Sequence, residues 1–242
     1  MANNIQIMTL NVGGPGYAQE KRDYIENSFQ TQLRQCSVIF VQECNGRDRT
    51  NLMGILGRRD YQISPGNGNI RDVAIIWQPN VFRQVEYFDD VKKFINGDEL
   101  FQEMTNRNYD INDRVKVIRA TLRPTGRVVY FASWHGPHNR VTNEHKADTA
   151  RDLIRLMRNI SGIQPFIVGG DFNLRAHNQF PAVKNRVVVH HSYRPRQIIP
   201  NIDYFVLGNR QEFRIQGVAR PLPLQDREIL DHEPVQACFV RN

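Results

Sequence analysis

Short apolar runs of β type recur along the whole chain, at residues 5–10, 37–42, 72–77, 115–122, 127–134, 166–169, 204–207 and 235–240. Several are unbroken, such as Val38-Ile39-Phe40-Val41 and Phe166-Ile167-Val168. A strand that alternates can leave one face in water, but a continuous apolar strand has to be covered on both faces. Residues 142–160 carry a helical period instead, with Ala147, Ala150, Leu153, Ile154, Met157 and Ile160 on one stripe at spacings of three and four. Residues 18–33 repeat that pattern more weakly through Ile25, Phe29 and Leu33. Gly162 and Pro165 then stop the longer helix. This mixed order predicts an α/β fold of two packed sheets flanked by helices. Nothing rich in Gly, Ser or Pro divides the chain, so 1–242 is expected to be one domain. Hydrophobic residues make up 40% of the sequence, enough to fill a core of that size.

Polar residues fall just where the apolar runs stop. Asn11 closes the first run and Glu43 the second; His135 closes Phe131-Ala132-Ser133-Trp134. Asp171 and Asn173 follow Phe166-Ile167-Val168-Gly169-Gly170, and Asp203 precedes Tyr204-Phe205-Val206-Leu207. Asp231 and His232 stand just before the last run. Each has an ordinary explanation alone: a turn for Asn11, a helix cap for Glu43 or Asp171, a satisfied core histidine for His135. Together they do not, because strand ends on one edge of a packed sheet converge. Four carboxylates, two amides and two histidines meeting there would be costly without a cation or substrate to satisfy them.

The residue types suit one reaction. Carboxylate and amide oxygens match a hard cation such as Mg²⁺, with Mn²⁺ or Ca²⁺ as substitutes. A histidine oriented by a carboxylate can take a proton from water near neutral pH. Hydrolysis of a phosphodiester needs an activated water, neutralised phosphoryl charge and help for the leaving oxygen. All three are available here.

Leu10-Asn11, Gln42-Glu43, Gly170-Asp171-Phe172-Asn173, Ile202-Asp203-Tyr204 and Asp231-His232-Glu233-Pro234-Val235 resemble the signature blocks of the endonuclease/exonuclease/phosphatase superfamily. They stand in that family's order and cover residues 5–240. His135 within Ala132-Ser133-Trp134-His135 is similar to the branch of pancreatic DNase I, the cytolethal distending toxin nuclease subunit and neutral sphingomyelinases. Residues 73–80 and 113–119 resemble DNase I and the toxin subunit as well. The resemblance implies a four-layer α/β sandwich. It makes Glu43 the main metal ligand, assisted by Asn11 and Asp231. It makes His232, oriented by Asp203, the water activator, and His135 a proton donor or a stabiliser of the pentacovalent phosphorus. Asp171 and Asn173 would position the attacking water and a phosphate oxygen, while Arg114 would hold phosphate, a task that suits the forked donors of arginine. Arg175, a basic residue just after Asn173, is a further phosphate-binding candidate on its charge and position alone.

One position departs from that pattern. DNase I supplies a glutamate to its first histidine from the strand matching Arg71, and here Arg71 precedes Asp72. Either Asp72 takes over that role or His135 works without it. Cys36, Cys44 and Cys238 have no metal-ligand spacing and do not match the secreted enzyme's disulfides. Cys36 and Cys238 read as buried thiols, and Cys44, beside Glu43, as a thiol near the site. They favour an intracellular relative over a digestive one, with a processed secreted effector or toxin subunit as the alternative.

A net charge of +7 and a pI near 9.5 favour a polyanionic partner. Basic and aromatic residues cluster between the blocks: Arg47, Arg49, Arg58 and Arg59, then His177, then His190, His191, Tyr193, Arg194 and Arg196. They can neutralise backbone phosphates and stack on bases. The expected substrate is therefore nucleic acid, DNA ahead of RNA, cut by an endonuclease. A toxin-like member would add a partner subunit. The alternatives are a phosphoinositide phosphatase or sphingomyelinase-like phosphodiesterase, and a dead binding protein, although no catalytic block is missing. No apolar run approaches the ~18 residues a membrane span needs.

Overall fold

Val38, Ile39, Phe40 and Val41 are all buried, and they point alternately into two different cores. That is why the run is unbroken: this strand lies between another sheet on one side and helices on the other. The computed structural model describes residues 4–14, 16–66, 72–95, 111–137, 141–175, 187–190, 202–209 and 213–242. His177, His191, Tyr193, Arg194 and Arg196 lie outside the described residues, as does Arg71.

Two mixed sheets carry the fold. The first contains β1 (Asn4–Asn11), β2 (Val38–Gln42), β3 (Gln62–Ile63), β4 (Ala74–Trp77), β11 (Phe213–Ile215), β12 (Arg220–Pro221) and β13 (Val235–Arg241). Its order is β11-β13-β1-β2-β4-β3, with β12 added to β13. The second contains β5 (Phe82–Phe88), β6 (Val115–Leu122), β7 (Val128–His135), β8 (Phe166–Asp171), β9 (Val187–His190) and β10 (Asp203–Gly208), in the order β5-β6-β7-β8-β10-β9. Phe40, Trp77, Phe131, Phe205 and Phe239 fill the space between the sheets.

Helices cover both outer faces. On the first sheet, α1 (Ala18–Gln35) and α2 (Gly46–Leu56) press Ile25, Phe29, Leu33, Leu52 and Leu56 onto Ile39, Val41 and Ile76. On the second, α3 (Asn143–Ser161) packs Leu153 and Met157 against Val117, Ala132 and Val168. Each such side chain contributes about 1.5–3 kcal/mol by leaving water. Helix, sheet, sheet and helix make the expected four-layer sandwich. Thr142 caps α3 through the amide of His145, and Gly162 ends it at φ +58°, where a side chain would be strained.

Two parallel pairings place the site. β1 runs parallel to β2, and β7 runs parallel to β8. Across the sandwich β1 faces β8 and β2 faces β7. The carboxyl-terminal ends of all four strands therefore meet at one edge.

Candidate active site

His135, Asp171 and Asp203 stand side by side in register, on β7, β8 and β10 of the second sheet. Asn11 ends β1, beside Gln42 at the end of β2, and Glu43 follows immediately. A buried hydrogen-bond bridge joins the sheets at this level. Thr9 Oγ1 donates to Gln42 Oε1 at 3.0 Å, Gln42 Nε2 donates to Ser133 Oγ at 3.1 Å, and Ser133 Oγ donates to the Val41 carbonyl at 3.0 Å. The sequence pattern assigns Gln42 and Ser133 no role of their own; their signal is a polar residue inside an otherwise apolar buried run. Glu43 and Asn173 both take left-handed backbone, at φ +54° and +51°. Asparagine tolerates that region, whereas glutamate is strained there by about 1–2 kcal/mol. The turn at Glu43 brings its carboxylate toward the second sheet.

Asp171 is the hub. Its Oδ2 accepts from Asn11 Nδ2 at 3.2 Å and from Asn173 Nδ2 at 3.1 Å, and its Oδ1 accepts from the Asn173 amide at 2.8 Å. The Nε2 atoms of His135 and His232 each lie 3.9 Å from that same Oδ2. Glu43 Oε1 sits 3.7 Å from His135 Nε2 and accepts from Asn11 Nδ2 at 3.3 Å. On the other side, His232 Nδ1 meets Asp203 Oδ2 at 2.8 Å. A carboxylate only accepts, so the proton of that bond belongs to Nδ1, and Nε2 faces the hub. Asp231, more than half exposed, stands at the rim 3.9 Å from His232 Nε2.

The carboxylates perturb one another. Burial, and then the charge of Asp203, push the Asp171 carboxyl up to about 7, against the opposing pull of His232 and the Asn173 amide. Burial acts to lower His232, but Asp203, Asp171 and Asp231 outweigh it and hold the imidazole up to about 10. So much negative charge in one buried place calls for a cation.

The donors present fit a divalent metal. Asp171, Asp203 and His232 each offer a ligand atom, all within 4.8 Å of one another. Asp203 Oδ1 is buried with no hydrogen-bond partner, an unsatisfied acceptor at the place an ion would approach. Glu43 and Asn11 adjoin this set, although Asn11 Oδ1 already accepts from the Gly13 amide at 2.8 Å. An ion held there would neutralise phosphoryl charge and acidify a water molecule.

The arginines separate into different places. Arg114 ends a single helical turn, Ile111–Arg114, and is buried, with Nη1 donating to the Gly136 carbonyl at 3.4 Å. Asn173 Nδ2 donates to that carbonyl too, so Arg114 is tied to the hub through Gly136. Arg175 is exposed just beyond. Arg47 and Arg49 lie on α2 rather than in a loop, and Arg49 is spent on structure: it donates to the Ser64 carbonyl, the Val73 carbonyl and Asp72. Asp72 is fully buried between Arg49 at 2.9 Å and Lys116 at 3.7 Å. The carboxylates brought to His135 Nε2 are those of Glu43 and Asp171. Cys44 packs into the core under the helices, where burial pushes its thiol far up; Cys36 is buried too, and Cys238 is half-buried.

The endonuclease/exonuclease/phosphatase family model matches residues 8–225, all of the blocks but the last. The chain belongs to this family. Similar solved structures include the catalytic domain of human Nocturnin with bound sulfate, 17% identical, covering 99% of this chain and 94% of that chain at a TM-score of 0.72. D. rerio TDP2 complexed with single-strand DNA product is 15% identical, covering 98% of both chains at a TM-score of 0.66. A Bacteroides thetaiotaomicron mannosyl-6-phosphatase is 15% identical, covering 98% and 99% at a TM-score of 0.65. Among curated proteins no sequence matches. At these identities the structures speak for the fold alone. Family membership and the acidic, histidine-bearing cluster together support a metal-dependent phosphodiesterase.

Proposed function

We propose that this protein is a divalent-metal-dependent endonuclease of the DNase I and cytolethal distending toxin type, one domain over 1–242, hydrolysing DNA phosphodiester bonds. The observation that carries the reading is the pair of histidine Nε2 atoms, each 3.9 Å from one Asp171 oxygen, with Asp203 behind His232. In-line hydrolysis needs a base on one side of phosphorus and a proton donor on the other. His232, held by Asp203, would take the proton of the attacking water once a bound cation has displaced the imidazole's own. His135, held between Glu43 and Asp171, protonates the leaving oxygen. Asn173 and Arg114, joined at the Gly136 carbonyl, bind the phosphoryl oxygens. Glu43, assisted by Asn11 and Asp231, would hold Mg²⁺ beside the Asp171 carboxylate.

DNA is favoured by the net charge of +7 and by the single-strand DNA product in the similar D. rerio structure. The free thiols support an intracellular setting. The test is supercoiled-plasmid nicking in Mg²⁺, with and without EDTA, beside Glu43→Ala and His232→Ala. Nicking lost in EDTA and in both variants is the expected result. A folded wild-type protein that leaves DNA whole while releasing phosphate from a phosphoinositide would sink the endonuclease reading in favour of its rival.

A further inference from the structure

A groove of about 520 Å³ opens on the flank of the sandwich, away from the strand-end site, lined by Arg49, Met53, Arg58, Gln62, Ile63 and Tyr87 among others. These residues come from α2 and the segment after it, from β3 and from β5. β3 and β5 are outer strands of the two sheets, and β4 packs over β6, so both lie on the same side of the molecule. The volume falls in the range of sites that hold organic ligands. Buried hydrogen bonds tie one of its lining residues to the strand end that carries Glu43. Arg49 grips Asp72, and the Asp72 carbonyl accepts from the amide of Cys44, the residue after Glu43.

Two side chains give the groove its chemistry. Tyr87 is 43% exposed although its ring rests on Trp77, with centroids 5.7 Å apart. That contact holds one part of the ring and leaves the rest open to the groove. Arg58, just after α2, also lines the groove and is exposed. A held aromatic ring beside an exposed guanidinium suits an unpaired base with its phosphate: the ring stacks and the cation meets the backbone. A duplex has no free base face to offer, so the fit is to a single strand.

We infer that this groove docks a single-stranded flank of the nucleic acid substrate, with a base on Tyr87 and a backbone phosphate on Arg58. The inference rests on the nuclease reading above and adds a binding site remote from the bond that is cut. The flank would leave the candidate active site past Glu43 and follow α2 down the side of the sandwich.

The experiment measures binding and chemistry separately. Anisotropy of fluorescein-labelled single strands of about 20 and about 4 nucleotides gives Kd in EDTA for wild type, Tyr87→Ala, Tyr87→Phe and Arg58→Ala. Hydrolysis of bis(p-nitrophenyl) phosphate in Mg²⁺, a diester too small to reach the groove, reports the chemistry. Tyr87→Ala and Arg58→Ala are expected to weaken the longer strand about tenfold. Tyr87→Phe should bind as wild type does, and the small diester should turn over equally in all four. Variants that bind the longer strand like wild type, or that lose small-diester turnover as well, overturn the groove while plasmid nicking by wild type still stands. A wild type that neither binds nor cuts nucleic acid overturns the nuclease reading and the groove with it.

Discussion

Nδ1 of His232 lies 2.8 Å from Oδ2 of Asp203, although the two residues come from different sheets' ends: Asp203 opens β10, and His232 precedes β13. The bond turns Nε2 toward Asp171 and fixes which nitrogen can take a proton. Asp203→Asn would keep the shape but let the amide donate to the ring, favouring the wrong tautomer. Turnover on a diester should fall about 10²–10⁴-fold with little change in KM. A KM that rises while kcat holds would remove His232 from the proton-transfer role.

Much of this site was visible in the sequence because each residue closes a run whose strand character is strong. Asn11, Glu43, His135 and Asp171 follow largely apolar segments, and parallel pairing brings those ends together. What the runs could not show was contact between distant elements. α2 went unread because Gly46, Arg47, Asp48 and Thr50 carry little apolar period; the reciprocal bonds between Asn45 and Asp48 that start it are its one local signal. β5 has only one fully buried residue, Phe82, so its alternation is faint. Asp72 looked free to serve His135, and only the approach of α2 and β6 shows that Arg49 and Lys116 hold it.

The glycine before Asp171 is a packing requirement. A Cβ on Gly170 would stand 1.9 Å from the Trp134 carbonyl oxygen, and one on Gly169 would stand 2.3 Å from the Phe40 ring. Backbone of the neighbouring strand cannot withdraw without parting His135 from Asp171. Gly170→Ala should therefore cost stability at or beyond the top of the ~1–3 kcal/mol span for overpacking. Urea denaturation measures it, and a midpoint within error of wild type would contradict the packing.

The bridge between sheets should matter to both stability and rate. Ser133→Ala leaves Gln42 Nε2 without its acceptor in a fully buried place. The loss is about 1–3 kcal/mol. Because Gln42 precedes Glu43 and Ser133 is two residues before His135, diester turnover per folded molecule should also drop. Unchanged turnover at reduced stability would make the bridge a matter of folding alone.

Metal affinity should rise with pH. Asp171 is raised from an unfolded value near ~3.9 to about 7, so the native protein holds extra protons in that window and loses stability as pH climbs through it. His232 is raised from 6.5 to about 10, and its contribution is complete below 6.5 and gone above about 10. Both effects make the metal-free protein weaker at higher pH. A divalent cation prefers the deprotonated set and displaces those protons. The rise in Tm caused by Mg²⁺ should thus be larger near pH ~8 than near pH ~5.5, and the difference should shrink in Asp171→Asn. An equal rise at both pH values would show that the ion does not displace the protons of Asp171 and His232.

Asp72 offers a way to separate structure from catalysis. Its carboxylate is the buried counter-charge of Arg49, whose side chain is 12% exposed, and of Lys116, at 11%. Burial already lowers the Lys116 ammonium from its ordinary value, and the charge of Asp72 resists that. Asp72→Asn keeps the volume and removes the charge, leaving two cations facing each other in a place with little water. The cost should be about 3–5 kcal/mol, the range for breaking a buried pair from one side. If Asp72 is structural, turnover per folded molecule stays near wild type and Lys116→Met in the same chain restores part of the lost stability. If Asp72 instead serves His135, turnover falls steeply, its pH profile shifts, and Lys116→Met restores neither.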